Sequence, residues 1–211
     1  MNNANTTSNS ALIVIDVQES FRQRANWAAT SNPDLVRNVN RLVAAQRAKG
    51  ELVVWILHSE PGTGTVFDPE RGFNRPIEGL EPAAGEPVLT KTSHNAFTTT
   101  NLQQQLTQLG TREVLISGIR TEQCCETTAR FASDLGYDVT FVTDATATHP
   151  IEHRDAPAGR TLEEILADPR TLTTDAITAR TEYALAGRFA RIATTDELTQ
   201  AGPTQDGTEG N

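Results

Sequence analysis

The chain has 211 residues, 37% hydrophobic and 21% charged, enough for the core of one ordinary globular domain. A net charge of −9 leaves no cationic excess to displace counterions, which argues against nucleic acid or an anionic membrane surface as partner. The only two cysteines, Cys124 and Cys125, are neighbours and cannot form a disulfide scaffold, so the chain reads as cytoplasmic with reduced thiols.

Residues 1–10 are rich in Asn, Thr and Ser, unlike a secretory signal, and are expected to be a disordered tail. No apolar run approaches the roughly 20 residues needed to span a bilayer. The run "ALIVIDV" from residue 11 suits a strand buried on both faces, as in a parallel sheet, and it ends at Asp16. Residues 31–50 predict a helix, with Asn32 as cap, Pro33 at the first helical position and Gly50 as the stop. Leu35, Val39, Leu42 and Val43 recur on one face of it. "ELVVWIL" at 51–57 is a second strand.

Residues 58–86 carry Gly, Pro and charge without periodicity and predict a long loop, which in a compact domain is usually functional or mobile. A short strand at 87–91 ends at Lys91, and a helix follows at 100–110. A fourth strand at 113–119 leads into a helix at 121–136. A fifth strand spans 137–145, and a second loop region at 146–174 contains a short helix near Thr161–Leu166. A last helix at 175–189, a sixth strand at 190–195 and a polar, disordered tail at 200–211 complete the chain. Strands alternating with helices predict a single α/β domain over 11–199, three layers deep, with a mainly parallel six-stranded sheet. No glycine-rich phosphate loop or GxGxxG follows a strand, so no nucleotide cofactor is expected.

Ligands of open α/β sheets bind beyond the carboxyl ends of the strands. An acid, a base and a thiol fall there: Asp16, Lys91 and Cys124. With Thr121 as N-cap, Cys124 lies in the first helical turn, where the helix dipole and a nearby lysine would favour a thiolate. Cys125, rotated by about 100°, aligns with Ala129 and Ala132 on an apolar stripe. Taken singly, Asp16 could cap a turn, Lys91 could be a solvated surface residue, and either cysteine could be packing.

Three segments carry a family likeness. "ALIVIDVQESF", "KTSHNAFTTTNLQQQL" and "VLISGIRTEQCCETTARFASDLGYDVTFVTDA" resemble the isochorismatase-like cysteine hydrolases. Asp16, Gln18 and Phe21 match the family's D-x-Q-x-x-F; Lys91, Ala96 and Phe97 match K-x-x-x-x-A-F; Gly118, Ile119, Thr121, Glu122 and Cys124 match G-I-x-T-[DE]-x-C. The resemblance implies a Rossmann-like αβα fold and an Asp16–Lys91–Cys124 triad. It implies a cis peptide at Ile119–Arg120, with the backbone amides of Arg120 and Cys124 as an oxyanion hole. It also implies a homo-oligomer, dimer or tetramer, acting on a small molecule.

Such a triad would cleave a C–N bond of an amide or ureido compound through a thioester. Family members that hydrolyse the vinyl ether of isochorismate lack the cysteine, so Cys124 favours C–N cleavage; a thiol redox or binding protein of the same fold is the other alternative. Nicotinamidases of the family hold a metal through a pattern like D-x-H-x-x-x-H. Here His58 stands alone after the second strand, so no metal is expected. Gln18, Phe21, Trp27, His94, Phe97, Arg120 and His149 are the candidate substrate-binding side chains.

Overall fold

The computed structural model describes residues 10–200. Its centre is one sheet of six strands: β1 (Ser10–Ile15), β2 (Leu52–His58), β3 (Val88–Lys91), β4 (Glu113–Ile119), β5 (Asp138–Ala147) and β6 (Arg191–Ala193). They lie in the order β3-β2-β1-β4-β5-β6, and every pair is parallel. The chain winds outward one way from β1 and the other way from β4, so the switch of direction lies between these two strands. That is where an open sheet leaves a crevice at its carboxyl edge.

The uninterrupted apolar runs have a direct consequence. Alternate side chains of a strand face opposite ways, so each central strand feeds two cores. Ala11, Ile13 and Ile15 of β1 join one apolar cluster, with Val114 and Ile116 of β4. Leu12 and Val14 join the other, with Leu115. The first core is covered by α3 (Leu102–Gln108) and α4 (Glu126–Asp134) through Leu102, Leu106, Ala129 and Ala132, and by Leu185 of α6 (Thr174–Leu185). The second is covered by α2 (Leu35–Lys49), whose Leu35, Val39, Leu42 and Val43 are buried as their spacing predicts. Each such aliphatic side chain taken from water contributes about 1.5–3 kcal/mol. The three-layer reading is therefore correct. Among the described residues, no helix is long and apolar enough to cross a membrane.

Several boundaries differ from expectation. Ser10, assigned to the tail, opens β1 opposite Glu113, and Gln200, assigned to the other tail, caps a short helix α7 (Thr195–Thr199). The rest of both expected tails lies outside the described residues. Asn32 does not cap α2: the helix begins at Leu35 after Asp34. The Asn32 amide instead donates to the carbonyls of Asp144 at 2.7 Å and Thr146 at 3.0 Å. Its Oδ1 meanwhile accepts from the Asp34 N–H at 3.1 Å, so the side chain keeps a local contact ahead of the helix while its amide ties that entry to β5. α6 ends at Leu185 rather than 189, and β5 continues to Ala147. The long loop after β2 contains a single 3₁₀ turn, Pro69–Arg71. The chain after β1 coils into α1 (Glu19–Arg22) and a 3₁₀ segment, Ala25–Ala29, neither of which the sequence announced. The short helix expected near 161–166 is α5 (Leu162–Ala167), capped by Thr161 and Glu164 acting on each other's backbone.

Candidate active site

Asp16 follows directly on β1, with its backbone at a left-handed φ of 54°. A side chain there is uncommon and usually held by its surroundings. Its N–H donates to Ile56 of β2 at 2.8 Å, and its carbonyl accepts from Gln18 at 2.8 Å. Beside it, Gly118 of β4 has φ 134°, and a Cβ there would sit 2.0 Å from the Ile15 carbonyl oxygen. Only glycine lets β4 come this close to the turn that presents Asp16.

Lys91 ends β3 directly opposite His58 at the end of β2. Its side chain is wholly buried, as is that of Asp16. The Lys91 ammonium lies 2.7 Å from Asp16 Oδ2. The same ammonium donates to the Ser93 carbonyl at 3.1 Å and to Cys124 Sγ at 3.4 Å, and lies 3.4 Å from His58 Nδ1. The acid, the base and the thiol thus meet around one buried nitrogen.

Cys124 does not sit in an ordinary first helical turn. The Arg120 carbonyl accepts from the N–H of both Gln123 and Cys125, at 3.1 and 3.2 Å, which opens Thr121–Cys125 into a wider π turn ahead of α4. Thr121 is not the cap; its hydroxyl donates to Thr146 at 2.9 Å. The peptide Ile119–Arg120 is cis. Cys125 is fully buried with Ala129 and Ala132 on the apolar stripe, whereas Cys124 keeps 8% exposure.

The electrostatics correct one expectation. The dipole and lysine arguments favour a thiolate at Cys124. Burial, and then the neighbouring Asp16 carboxylate, outweigh Lys91 and push the thiol up to about 12. Burial likewise raises Asp16 above its ordinary value, against the opposing pull of Lys91. The resting pair is therefore a thiol beside a carboxylate of increased basicity, held by an ammonium.

The remaining candidates divide into two sets. Phe21 packs edge-on to Phe67 with ring centroids 5.1 Å apart, and Phe67 packs edge-on to His58 at 5.5 Å. His149 lies 6.1 Å from both Phe21 and Trp27. A continuous run of rings therefore extends from Lys91's neighbour His58 to the half-buried Trp27. Arg120 joins it: its guanidinium donates to the His149 carbonyl at 3.2 Å and pairs with Glu122 at 2.9 Å.

Three expected residues do not join. Both amide hydrogens of Gln18 are used, on Ser20 and on the His58 carbonyl, and its oxygen accepts from the His58 N–H at 2.6 Å, so it fastens two strand ends together. Phe97 packs in the core against Phe131 and Tyr137. His94 is exposed on the turn after β3 and makes no hydrogen bond or ring contact among the described residues. Conversely, His58 and Phe67 emerge as members of the site. His58 could have been found by setting β2 and β3 in parallel register; Phe67 lies in an aperiodic loop that carries no such signal.

Among the described residues there is no cluster of three or more His, Cys, Asp or Glu able to hold a metal. A surface cleft of about 770 Å³ between Tyr137, Phe189 and Arg191 lies at the amino ends of β4–β6, the opposite edge of the sheet from the triad.

Comparison with known proteins places the chain in a family. The sequence profile of the Isochorismatase domain matches residues 10–174. An uncharacterized isochorismatase family protein, YrdC of Bacillus subtilis, is 29% identical over 188 residues, covering 89% of this chain and 93% of its own. Streptothricin hydrolase of Streptomyces noursei is 35% identical over 144 residues, 67% of this chain and 55% of its own. The crystal structure of an isochorismatase from Pseudomonas putida KT2440 superposes with a TM-score of 0.77 at 30% identity, covering 92% of this chain and 91% of that one. The chain belongs to the isochorismatase family of hydrolases.

Proposed function

We propose that this protein hydrolyses a C–N bond of a small amide or ureido compound through a thioester on Cys124. The observation that carries the reading is the convergence of Asp16 and Cys124 on the buried ammonium of Lys91. The names of relatives point the same way, among them streptothricin hydrolase and a ureidoacrylate amidohydrolase of Variovorax paradoxus.

The buried thiol defines the first step. With the thiol pushed up to about 12 by burial and the Asp16 carboxylate, free thiolate is not the working form at neutral pH. Asp16 takes the thiol proton as sulfur attacks the carbonyl carbon, and its raised basicity suits that task. Lys91 holds the carboxylate in place and its charge stabilises the sulfur as negative charge develops. The tetrahedral oxyanion is held by the amides of Arg120 and Cys124, each such donor contributing about 3–4 kcal/mol. The adduct then collapses: the C–N bond breaks, and Asp16 returns the proton to the departing amine. Water attacks the thioester with Asp16 again as base, and sulfur recovers its proton as the acid leaves. One water is consumed, and one acid and one amine are formed.

The test is ammonia release from a panel of primary amides and ureido compounds, by wild type and by Cys124→Ala. Release by wild type and none by the variant supports the reading. No ammonia from any member, or equal release by both proteins, refutes it.

A further inference from the structure

His149 is fully buried, yet its Nε2 has no hydrogen-bond partner among the described residues. Buried polar atoms left this way are rare and call for an explanation. The rest of the ring is tightly specified. The Thr30 hydroxyl has one proton, and its 2.7 Å contact with the Trp27 carbonyl takes it. Its contact with His149 Nδ1, at 3.1 Å, then has Nδ1–H donating to Thr30 Oγ1. That fixes the tautomer and leaves Nε2 as a bare acceptor.

The charge around the ring keeps it so. Burial, Arg120 and Arg24 together hold His149 down at about 4, hence neutral at physiological pH. Phe21 and Trp27 flank the ring, and Arg120, at the turn that carries Cys124, donates to the His149 carbonyl. The unused acceptor therefore belongs to the aromatic wall that begins beside Lys91.

We infer that His149 Nε2 accepts a hydrogen bond from an N–H of the substrate adjacent to the scissile carbonyl, so that the preferred substrates are aryl ureido compounds. The inference rests on the amidohydrolase reading and narrows it. Two features select the class. A bare acceptor repels a carboxylate or ether oxygen and rewards a donor, and the aromatic rings suit a planar substituent. A monosubstituted urea offers both beside an NH₂ leaving group. Attack of Cys124 on its carbonyl expels ammonia and leaves a carbamoyl thioester; water then releases the thiol and a carbamic acid, which gives amine and carbon dioxide.

Phenylurea and N-methyl-N-phenylurea are the probes: methylation removes the N–H that His149 would receive and also adds bulk, and the His149 variants separate the two effects. Their dissociation constants are measured by calorimetry on Cys124→Ala, which binds without turning over, and kcat and KM on wild type. The expected result is at least tenfold preference for phenylurea, because a site that hydrogen-bonds a donor rejects the analogue lacking it. Adding His149→Phe should reduce that preference to about one, and His149→Gln should restore part of it. In Cys124→Ala, the Nε2 nitrogen resonance of His149 should move upfield with phenylurea and stay with the methylated analogue; this readout does not need a His149 variant to fold. Equal affinity for the two ureas, an unmoved resonance, or failure of phenylurea to bind overturns the inference. Ammonia release from other amides by the wild-type enzyme would leave the broader reading standing in that case.

Discussion

Replacing Lys91 by Met removes the charge that accompanies Asp16 into the interior while keeping a similar unbranched stem. Both side chains are at 0% exposure and their charged atoms are 2.7 Å apart. Breaking a buried pair by deleting one partner costs about 3–5 kcal/mol, because an uncompensated charge remains. Asp16 already sits above its ordinary value, with Lys91 as the strongest influence holding it down, so the substitution raises it further. The sign with pH follows. The folded variant keeps a proton on Asp16 that the unfolded chain has released, so its stability falls as pH rises from about 4 and levels off above the folded-state value. Asp16→Asn removes the need for the ammonium, so the double variant should recover at least half of the loss. The assay is urea unfolding followed by circular dichroism, for wild type, both single variants and the double variant, at pH 4, 6 and 8. Additivity of the two substitutions within about 0.5 kcal/mol, or a Lys91→Met loss that does not grow between pH 4 and 8, would refute the buried-pair argument.

Three further outcomes follow from the same geometry. The acid limb of kcat/KM should lie above pH 3.8, the ordinary value from which burial raises Asp16; a limb at or below that pH in a pH–rate profile contradicts the assignment of Asp16 as base. Alkylation of Cys124 by iodoacetamide should climb through pH 7–10 without levelling, as a thiol near 12 requires, and a plateau below pH 9 would show a thiolate that burial does not suppress. Gly118→Ala places a methyl 2.0 Å from the Ile15 carbonyl; it should lower the thermal midpoint by several degrees, consistent with about 1–3 kcal/mol of overpacking, and reduce kcat more than tenfold as the Asp16 turn shifts. Unchanged kinetics and melting temperature would mean that the β1–β4 approach is not needed.

What the sequence made legible, and what it did not, has a physical pattern. The strands of a parallel sheet are apolar on both faces, so "ALIVIDV" and "EVLISGI" declare themselves without knowledge of their neighbours. Strand ends then place Asp16, Lys91 and Cys124 at one edge by topology alone. The departures come where hydrogen bonds that residue order does not announce set the local geometry. Asn32 has the chemistry of a cap, but its oxygen holds the Asp34 N–H in a turn ahead of a helix that starts at Leu35, while its amide binds the Asp144 and Thr146 carbonyls. The turn at Cys124 has the composition of a helix start, but the Arg120 carbonyl binding two amides widens it. The thiol's shift runs against the sequence expectation for a related reason: dipole and lysine can be read from order along the chain, whereas desolvation and the nearness of Asp16 exist only in the folded molecule. Gln18 and Phe97 show that position in a motif does not by itself separate a residue that touches a substrate from one that secures the frame.

The central claim is that Cys124, and not its neighbour, forms a covalent bond to the substrate carbonyl. The direct measurement is acid quenching during turnover of a primary amide or urea, followed by peptide mass mapping of "TEQCCETTAR". The account predicts an acyl or carbamoyl mass increment on Cys124, absent from Cys125, with turnover lost in Cys124→Ala and largely retained in Cys125→Ala. An increment on Cys125, or undiminished turnover by Cys124→Ala, would contradict it.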